Sequence, residues 1–212
     1  MKQVAYCVFE TALGPCGISW HEGQNSCIGP AIIGFQLPEA TVHLTESKIA
    51  RNSRACRSSA PPPQIAEVIE KIQKHLQGEV QDFRAVTVDL SGTDPFARYV
   101  YEVIREIPAG ETQTYGEVAR AVGQPAEAQA VGNALARNPV PLIIPCHRIL
   151  AAGGKPGGFS AYGGGATKAK LLAIEGTTLA AAGSRTRSRK RCVSGQFRLA
   201  LAEPTFTGPK GR

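Results

Sequence analysis

Short runs rich in apolar, β-branched and aromatic residues open the chain, and such runs bounded by turn residues are typical of β-strands. Three such runs cover residues 4–11, 16–20 and 31–37. Gly14-Pro15 lies between the first two runs and is a common turn sequence, so these runs predict a hairpin. Pro38 ends the third run, because proline lacks the amide hydrogen that continues a strand.

The spacing of apolar residues becomes helical over residues 64–76, which predicts an amphipathic helix. Val86, Val88 and Leu90 alternate with polar residues, and this alternation predicts one more strand over 86–90. No periodic pattern marks residues 45–63, and the end of that stretch, ACRSSAPPP, has the composition of a linker. Together these elements predict an α/β N-terminal domain, a small sheet plus a helix, over residues 1–91.

Beyond Gly92 the pattern predicts helices only. The predicted helices cover residues 96–107, 114–122 and 125–137. Thr114 and Glu117 have the spacing of a capping box at the start of the second helix. The second and third helices are short and joined by a glycine-containing turn, which predicts a helix-turn-helix motif. We assign this all-α part to residues 92–176, although such helix pairs also occur in proteins that do not bind DNA.

The formal net charge is +7, but it is concentrated at one end of the chain. Residues 177–212 hold eight Lys/Arg and one Asp/Glu, so the remainder of the chain is neutral. This segment lacks periodicity and is rich in Arg, Ser, Ala and Gly, which predicts a disordered basic tail. The charge therefore fits a solvated tail as well as weak contact with DNA phosphates.

No run approaches the roughly 18 apolar residues that a membrane span requires, and the N-terminus lacks the features of a secretory signal. We expect a cytoplasmic protein without membrane contact, placed beside the nucleoid in a bacterium or in the nucleus of a eukaryote. The six cysteines include no C-x-x-C pair, which favours reduced thiols. Because Cys7, Cys16, His21 and Cys27 lack the ligand spacing of a zinc finger, we expect no metal and no cofactor.

The most distinctive segment is IIPCHRIL, residues 143–150, in which apolar residues flank Cys146, His147 and Arg148. A cysteine attacks only as the thiolate, and with an ordinary pKa of about 8.5 it needs a neighbour that takes the proton. His147 is the adjacent base, and Glu175 in LLAIEG is a carboxylate that could orient it. An inert buried cysteine fits the same pattern, so these residues alone leave both interpretations open.

The wider segment over residues 138–148, NPVPLIIPCHR, strongly resembles the active-site segment of the O6-alkylguanine-DNA alkyltransferases, also called methylated-DNA–protein-cysteine methyltransferases. The resemblance continues through TYGEVA at 114–119, AVG at 130–132 and the stretch from Lys168 to Gly176. It covers residues 92–176 closely and the N-terminal part loosely. It implies a ribonuclease-H-like N-terminal domain followed by a winged-helix-like DNA-binding and catalytic domain.

The resemblance implies direct and irreversible DNA repair. Members of this family flip the damaged base out of the duplex and transfer the alkyl group of O6-alkylguanine, and of O4-alkylthymine, to a cysteine in one displacement step. The alkylated protein cannot react a second time. The implied partner is double-stranded DNA containing O6-alkylguanine, and the implied state is a monomer without a cofactor. Burial of the cysteine would protect it from oxidation and from other electrophiles.

Residue roles follow from the same resemblance. Cys146 corresponds to the alkyl acceptor, His147 to its water-linked base and Glu175 to the carboxylate that holds the imidazole. Asn138 corresponds to an asparagine that ties the active-site turn to the helix-turn-helix. Tyr115 corresponds to a tyrosine that contacts the flipped nucleotide and can donate a proton toward the guanine ring.

Ser160 corresponds to a serine near the guanine O6, with a longer spacing to Lys168 than in vertebrate members. One position departs from the family, since Gln129 stands where an arginine finger commonly fills the gap that the extruded base leaves. Glutamine can bond the orphaned cytosine but brings no charge. The implied DNA contacts are Thr114, Gly116, Gln129, Gly132 and Arg137.

Three other functions fit part of the pattern. A non-catalytic alkyltransferase-like protein would keep the pocket and bind the lesion, but it would lack the acceptor that Cys146 provides. A cysteine hydrolase would use a similar Cys-His-acid set together with an oxyanion hole, and would turn over. A transcription regulator would use the helix-turn-helix alone.

Overall fold

A computed structural model of the protein describes residues 4–21, 29–58 and 60–177. The basic tail predicted over 177–212 therefore lies, except for Thr177, outside the described residues, as does Cys27. The described residues form a small mixed sheet with helices, followed by a mainly helical part.

The sheet begins with β1 (Val4–Phe9), β2 (Cys16–His21) and β3 (Ala31–Gln36), each antiparallel to the next. The predicted hairpin is thus confirmed. A short strand β4 (Cys56–Arg57) pairs parallel with β1, so the strand order is β3-β2-β1-β4. Every residue of β2 is buried, because this strand lies inside the sheet and both its faces are covered.

A helix, α1 (Val42–Ser53), replaces much of the irregular stretch predicted over 45–63. It begins at the N-cap Thr41, whose hydroxyl oxygen accepts a hydrogen bond from the amide of Leu44 at 3.2 Å. The sequence left open whether this stretch is ordered, because the helix carries little hydrophobic periodicity.

Only Thr45 and Ile49 of α1 are buried. A Cβ added to Gly17 would lie 2.9 Å from the Ile49 side chain, so Gly17 lets α1 pack closely on the sheet. Gly34 instead serves packing within the sheet, because a Cβ added there would lie 2.7 Å from the hydroxyl of Ser19 on β2.

Helix α2 (Pro63–Leu76) confirms the amphipathic helix, with proline at its first turn. The strand predicted over 86–90 is wrong, because Val88 makes only an isolated bridge with Ile32. Two backbone hydrogen bonds fix that point, from Ile32 to the carbonyl of Thr87 and from Asp89 to the carbonyl of Ile32. The alternating residues thus touch the edge of β3 without extending the sheet.

The mainly helical part begins with α3 (Pro95–Arg105), α4 (Tyr115–Ala121) and α5 (Ala128–Ala136). The capping box between Thr114 and Glu117 is confirmed, and both of its hydrogen bonds are present. The start predicted for the third helix is wrong, because α5 begins at Ala128 and leaves Pro125 in the preceding turn.

The expectation of helices only beyond Gly92 also needs correction. Strand β5 (Gln113–Thr114) pairs parallel with β6 (Ile149–Leu150), and this ladder joins the start of α4 to the chain that follows Cys146. A last helix, α6 (Gly165–Ile174), packs against α2 and against the turn that contains Cys146.

The hydrophobic core is continuous between the sheet and the helices. Its fully buried members include Ile18 and Trp20 of the sheet, Ile72 of α2 and Ile104 of α3. Across the described parts of the chain, no helix is both long and apolar enough to cross a bilayer.

Cys7, Cys16 and His21, considered above as metal ligands, lie on β1 and β2. His21 pairs with the carboxylate of Asp89, with 2.7 Å between Nε2 and Oδ2. Within residues 4–21, 29–58 and 60–177, no group of three or more His, Cys, Asp or Glu side chains is placed to hold a metal ion.

Candidate active site

Cys146 is the first residue of a single 3-10 turn, Cys146–Arg148, and Asn138 organises the loop before it. The amide nitrogen of Asn138 donates to the carbonyl of Ile144 at 2.9 Å, and its Oδ1 accepts from the backbone amide of Val140 at 3.0 Å. Within this loop Leu142 has a φ of 72°, a left-handed conformation that is rare for leucine. The asparagine thus holds a constrained loop that positions the cysteine.

The Cys146 side chain is buried, with 6% of the residue exposed. Burial raises the pKa of the thiol, while the neighbouring Asn138 side chain and the positive charge of Lys168 act in the opposite direction. The sulfur is therefore a neutral thiol at rest, and it needs a base before it can attack a carbon atom.

Two cavities include Cys146 in their walls. One has a volume of about 230 Å³ and lies beside α5. The other has a volume of about 450 Å³ and lies between the helical part and residues of β3 and α1. Ser160 lines both, which places this predicted residue near the sulfur. The walls of the smaller cavity include Tyr115, Gly132, Leu135, Phe159 and Ser160.

His147 is fully buried and bonds Glu175, with 3.0 Å between its Nε2 and the carboxylate Oε1. Because a carboxylate only accepts, the hydrogen lies on Nε2 and the lone pair lies on Nδ1. Nδ1 is buried and finds no hydrogen-bond partner among the described residues. Burial lowers the pKa of His147, and the negative charge of Glu175 only partly opposes this. The ring is thus a neutral base with one open nitrogen.

Arg148 donates hydrogen bonds to the same carboxylate from two of its nitrogens. Its Nε donates to Oε2 of Glu175 at 2.9 Å and a terminal nitrogen donates to Oε1 at 2.6 Å, while the other terminal nitrogen donates to the carbonyl of Ile107. Burial alone would raise the pKa of this carboxyl, but hydrogen bonds from His147, His75 and Arg148 hold it well below its usual range. Glu175 is therefore ionised.

Sequence reasoning assigned no role to Arg148 or to His75. Arg148 had a signal, because it follows His147 directly in the chain. His75 had none, because it lies on α2 and is 100 positions away from Glu175 along the sequence.

Lys168 was also missed as an active-site group. It lies on α6, fully buried, and its ammonium group donates to the carbonyl of Ile149. Burial lowers the pKa of Lys168 to about 8, and the nearby Cys146 acts in the opposite direction. Below that pH the ammonium is a fixed positive charge close to the sulfur, which favours the thiolate.

Tyr115 is the first residue of α4 and forms one wall of the smaller cavity. Burial raises the pKa of its hydroxyl, so the group stays protonated. Gly157 packs on the ring with a φ of 65°, and a Cβ there would lie 3.2 Å from the tyrosine. A Cβ on Gly132 would make ordinary contact with the same ring at 3.8 Å.

The predicted DNA contacts lie at the start of α4 and along α5, with Gly132 in the middle of α5. Thr114 and Gly116 lie at the start of α4, where the Thr114 side chain is engaged in the capping box. Gln129 is exposed in the first turn of α5 and donates to the side chain of Asn133 at 3.4 Å, so these two residues share one face. Arg137 is exposed directly after the last residue of α5.

A protein of Mycolicibacterium paratuberculosis (strain ATCC BAA-968 / K-10), named methylated-DNA–protein-cysteine methyltransferase, is 33% identical over 168 residues. The aligned region covers 79% of this chain and 91% of that protein. This chain belongs to the methylated-DNA–protein-cysteine methyltransferase family. The resemblance first seen around Cys146 is thereby confirmed. The family model described as the DNA-binding domain of 6-O-methylguanine DNA methyltransferase matches residues 95–177.

Solved structures of methyltransferases from Mycobacterium tuberculosis have a similar fold. The crystal structure of its O6-methylguanine methyltransferase has a TM-score of 0.63 and 31% identity, over 82% of this chain and 93% of that one. A structure of the M. tuberculosis OGT in complex with DNA has a TM-score of 0.62 and 30% identity, over 81% of this chain and 92% of that one. The likeness extends over the sheet as well as the helices.

Proposed function

We propose that this methyltransferase repairs DNA directly, by transferring the alkyl group of O6-alkylguanine, and of O4-alkylthymine, to Cys146. The observation that carries the proposal is the combination of a buried thiol in a cavity wall with a neutral imidazole that an ionised carboxylate orients. The thiol meets only what enters the cavity, and the imidazole supplies the base that the thiol needs.

The transfer is a single displacement. Nδ1 of His147 takes the thiol proton, directly or through one water molecule, and Glu175, itself held by Arg148, orients and stabilises the ring that becomes positively charged. The sulfur forms a bond to the alkyl carbon as the bond from that carbon to O6 breaks, and the electron pair of that bond passes to the guanine. The hydroxyl of Tyr115 donates a proton to the guanine ring, while Lys168 stabilises the thiolate before attack.

The substrate is double-stranded DNA with the damaged base turned out of the helix. Extrusion costs a few kcal/mol and is easier for a base that pairs poorly, which contributes to selectivity. We place α5 in the minor groove, where Gln129 fills the gap left in the base stack, and Gly132 lets the helix backbone approach the nucleic acid. Arg137, Thr114 and Gly116 contact the phosphates, with backbone groups serving at the last two positions.

Mass spectrometry of the intact protein tests the proposal. After incubation with duplex DNA that contains O6-methylguanine, the protein should gain one methyl group on Cys146 and no more. We expect Cys146→Ser to gain none and still to bind the methylated duplex, because a hydroxyl cannot ionise in this site. Methyl transfer by Cys146→Ser would contradict the assignment.

The same experiment separates the alternatives. Binding to the lesion without any methylated protein would indicate a non-catalytic lesion-binding protein. Repair of more DNA than the protein present would indicate a hydrolytic enzyme. Binding that depends on base sequence and ignores the lesion would indicate a transcription regulator.

The remaining features of the proposal concern organisation. We propose a ribonuclease-H-like unit over residues 1–91, a winged-helix-like catalytic unit over 92–176 and a basic tail over 177–212. The absence of any helix from residue 77 to residue 94 supports a boundary there. We further propose that the protein acts as a cytoplasmic monomer.

A further inference from the structure

The carboxylate of Glu175 receives a hydrogen bond that the transfer mechanism above does not use. The Nε2 of His75 lies 3.1 Å from Oε1, the same oxygen that bonds His147 at 3.0 Å. The side chains of both His75 and Glu175 are fully buried. The N-terminal part of the chain thus reaches the oxygen that orients the catalytic base.

The orientation of the His75 ring is fixed on both nitrogens. The backbone amide of Gln81 donates to Nδ1 at 3.1 Å, so Nδ1 is an acceptor and the hydrogen of the neutral ring lies on Nε2. The ring of Phe83 packs edge-on against the imidazole, with 5.2 Å between ring centroids. These contacts leave Nε2–H pointing at Glu175.

A role in packing alone does not explain this choice of residue. Burying a polar ring is costly unless each polar atom is bonded, and an aliphatic side chain would fill the same space without that demand. The bond that His75 makes also changes the electron density available to His147, because both rings share Oε1. A donor on a carboxylate withdraws negative charge from its other partners.

Resting on the proposed function, we propose that His75 is a positioning residue for alkyl transfer, which sets how strongly Glu175 acts on His147. With His75 in place, the carboxylate divides its negative charge among His147, His75 and Arg148. His147 then remains a neutral ring that can accept the thiol proton. Without His75, Glu175 acts more strongly on His147 and holds it protonated to higher pH, where it cannot serve as the base.

The groups that face this cluster are few. The charges that act most strongly on the pKa of His147 are those of Glu175, Arg148 and His75. The thiol of Cys146 is adjacent in the chain, and Lys168 acts on that thiol. Glu175 accepts hydrogen bonds from His147, His75 and Arg148. The effect of His75 is therefore expected at His147 and in the pH dependence of the reaction.

The test is the pH dependence of the single-turnover rate with free O6-alkylguanine base, which requires no base flipping. We expect His75→Leu to move the acid limb of the profile upward by about half a pH unit, which slows transfer about threefold on the acid side. His75→Gln keeps a donor near the position of Nε2 and should leave the limb where the wild type has it.

Ile72→Ala is the matched control. Ile72 is fully buried on the same helix, and its aliphatic side chain has no hydrogen to donate. This variant should lose stability as His75→Leu does, as measured by urea denaturation, and keep the acid limb of the wild type.

An unchanged acid limb in His75→Leu would overturn the proposal and leave His75 a packing residue, as would an equal shift in Ile72→Ala. If His75→Leu does not fold, the ¹⁵N spectrum of the wild-type imidazoles decides, because the proposal requires the hydrogen of His75 on Nε2. A hydrogen found on Nδ1 would contradict it. Absence of transfer in the wild type would instead contradict the proposed function.

Discussion

Replacing Glu175 with glutamine removes one charge and keeps the shape of the side chain. The carboxylate accepts from His147, His75 and twice from Arg148. A glutamine oxygen at the position of Oε1 preserves three of these bonds. Its amide nitrogen then lies at the position of Oε2 and faces the Nε–H of Arg148, donor against donor.

The magnitude follows from the burial of the partner. The Arg148 side chain is 7% exposed, so in Glu175→Gln its charge stays buried without its carboxylate. Removing one partner of a buried ion pair costs about 3–5 kcal/mol of unfolding free energy. The imidazolium of His147 also loses its counter-charge, and a loss of about 3 kcal/mol in the transition state slows transfer about a hundredfold.

Two measurements check this. Urea denaturation should show a lower midpoint with the slope unchanged, and single-turnover transfer from duplex DNA should be slower. In the double variant Arg148→Met/Glu175→Gln the unpaired buried charge is gone. Its loss of unfolding free energy should therefore be about 1–2 kcal/mol smaller than the sum of the losses in the two single variants. Strict additivity, or a Glu175→Gln protein as stable as the wild type, would refute the reasoning.

Two further predictions concern charge. Gln129→Arg should raise the repair rate on duplex DNA several-fold, equivalent to about 1–2 kcal/mol, because the minor groove favours a cation. The rate with free O6-alkylguanine base should stay unchanged, because free base needs no flipping. A gain on both substrates would show that Gln129 does not fill the gap left by the flipped base. The second uses the pKa of Lys168, about 8 when folded against 10.5 as its ordinary value. Between these values the unfolded chain binds more protons, so this group adds stability as pH rises, by about 3 kcal/mol. Urea denaturation across that pH range should show the unfolding free energy of the wild type rising relative to that of Lys168→Met as the pH rises. A difference that stays constant with pH would contradict the burial of an ammonium group.

The elements that the sequence predicted correctly are those with strong local signals. The hairpin had runs of β-branched and aromatic residues on both sides of Gly14-Pro15, and α4 had a capping box that the structure reproduces. Helix α1 was missed because only Thr45 and Ile49 face the sheet. Its signal lay elsewhere, in Gly17, a strand glycine whose missing side chain makes room for Ile49 of the packed helix.

The candidate site was likewise predicted only in part from the sequence. Cys146, His147 and Glu175 were predicted from a motif, and the structure brings the last two within hydrogen-bond distance. The contacts of His75 and Lys168 could not be predicted, because they depend on tertiary packing between elements far apart in the chain. A histidine on a helix and a lysine near a basic tail have no local feature that marks them as buried.

The ladder between β5 and β6 fixes the span from the start of the DNA-binding helices to the acceptor sulfur. Thr114 is paired with Leu150, shortly after Cys146, and Asn138 ties the other side of the same loop directly after α5. The ladder and the Asn138 hydrogen bonds therefore hold the sulfur at a set distance from the start of α4. Under the proposed mechanism the nucleotide must reach the sulfur by rotating about its own sugar–phosphate backbone, so repair should be slower where the DNA strand resists that rotation.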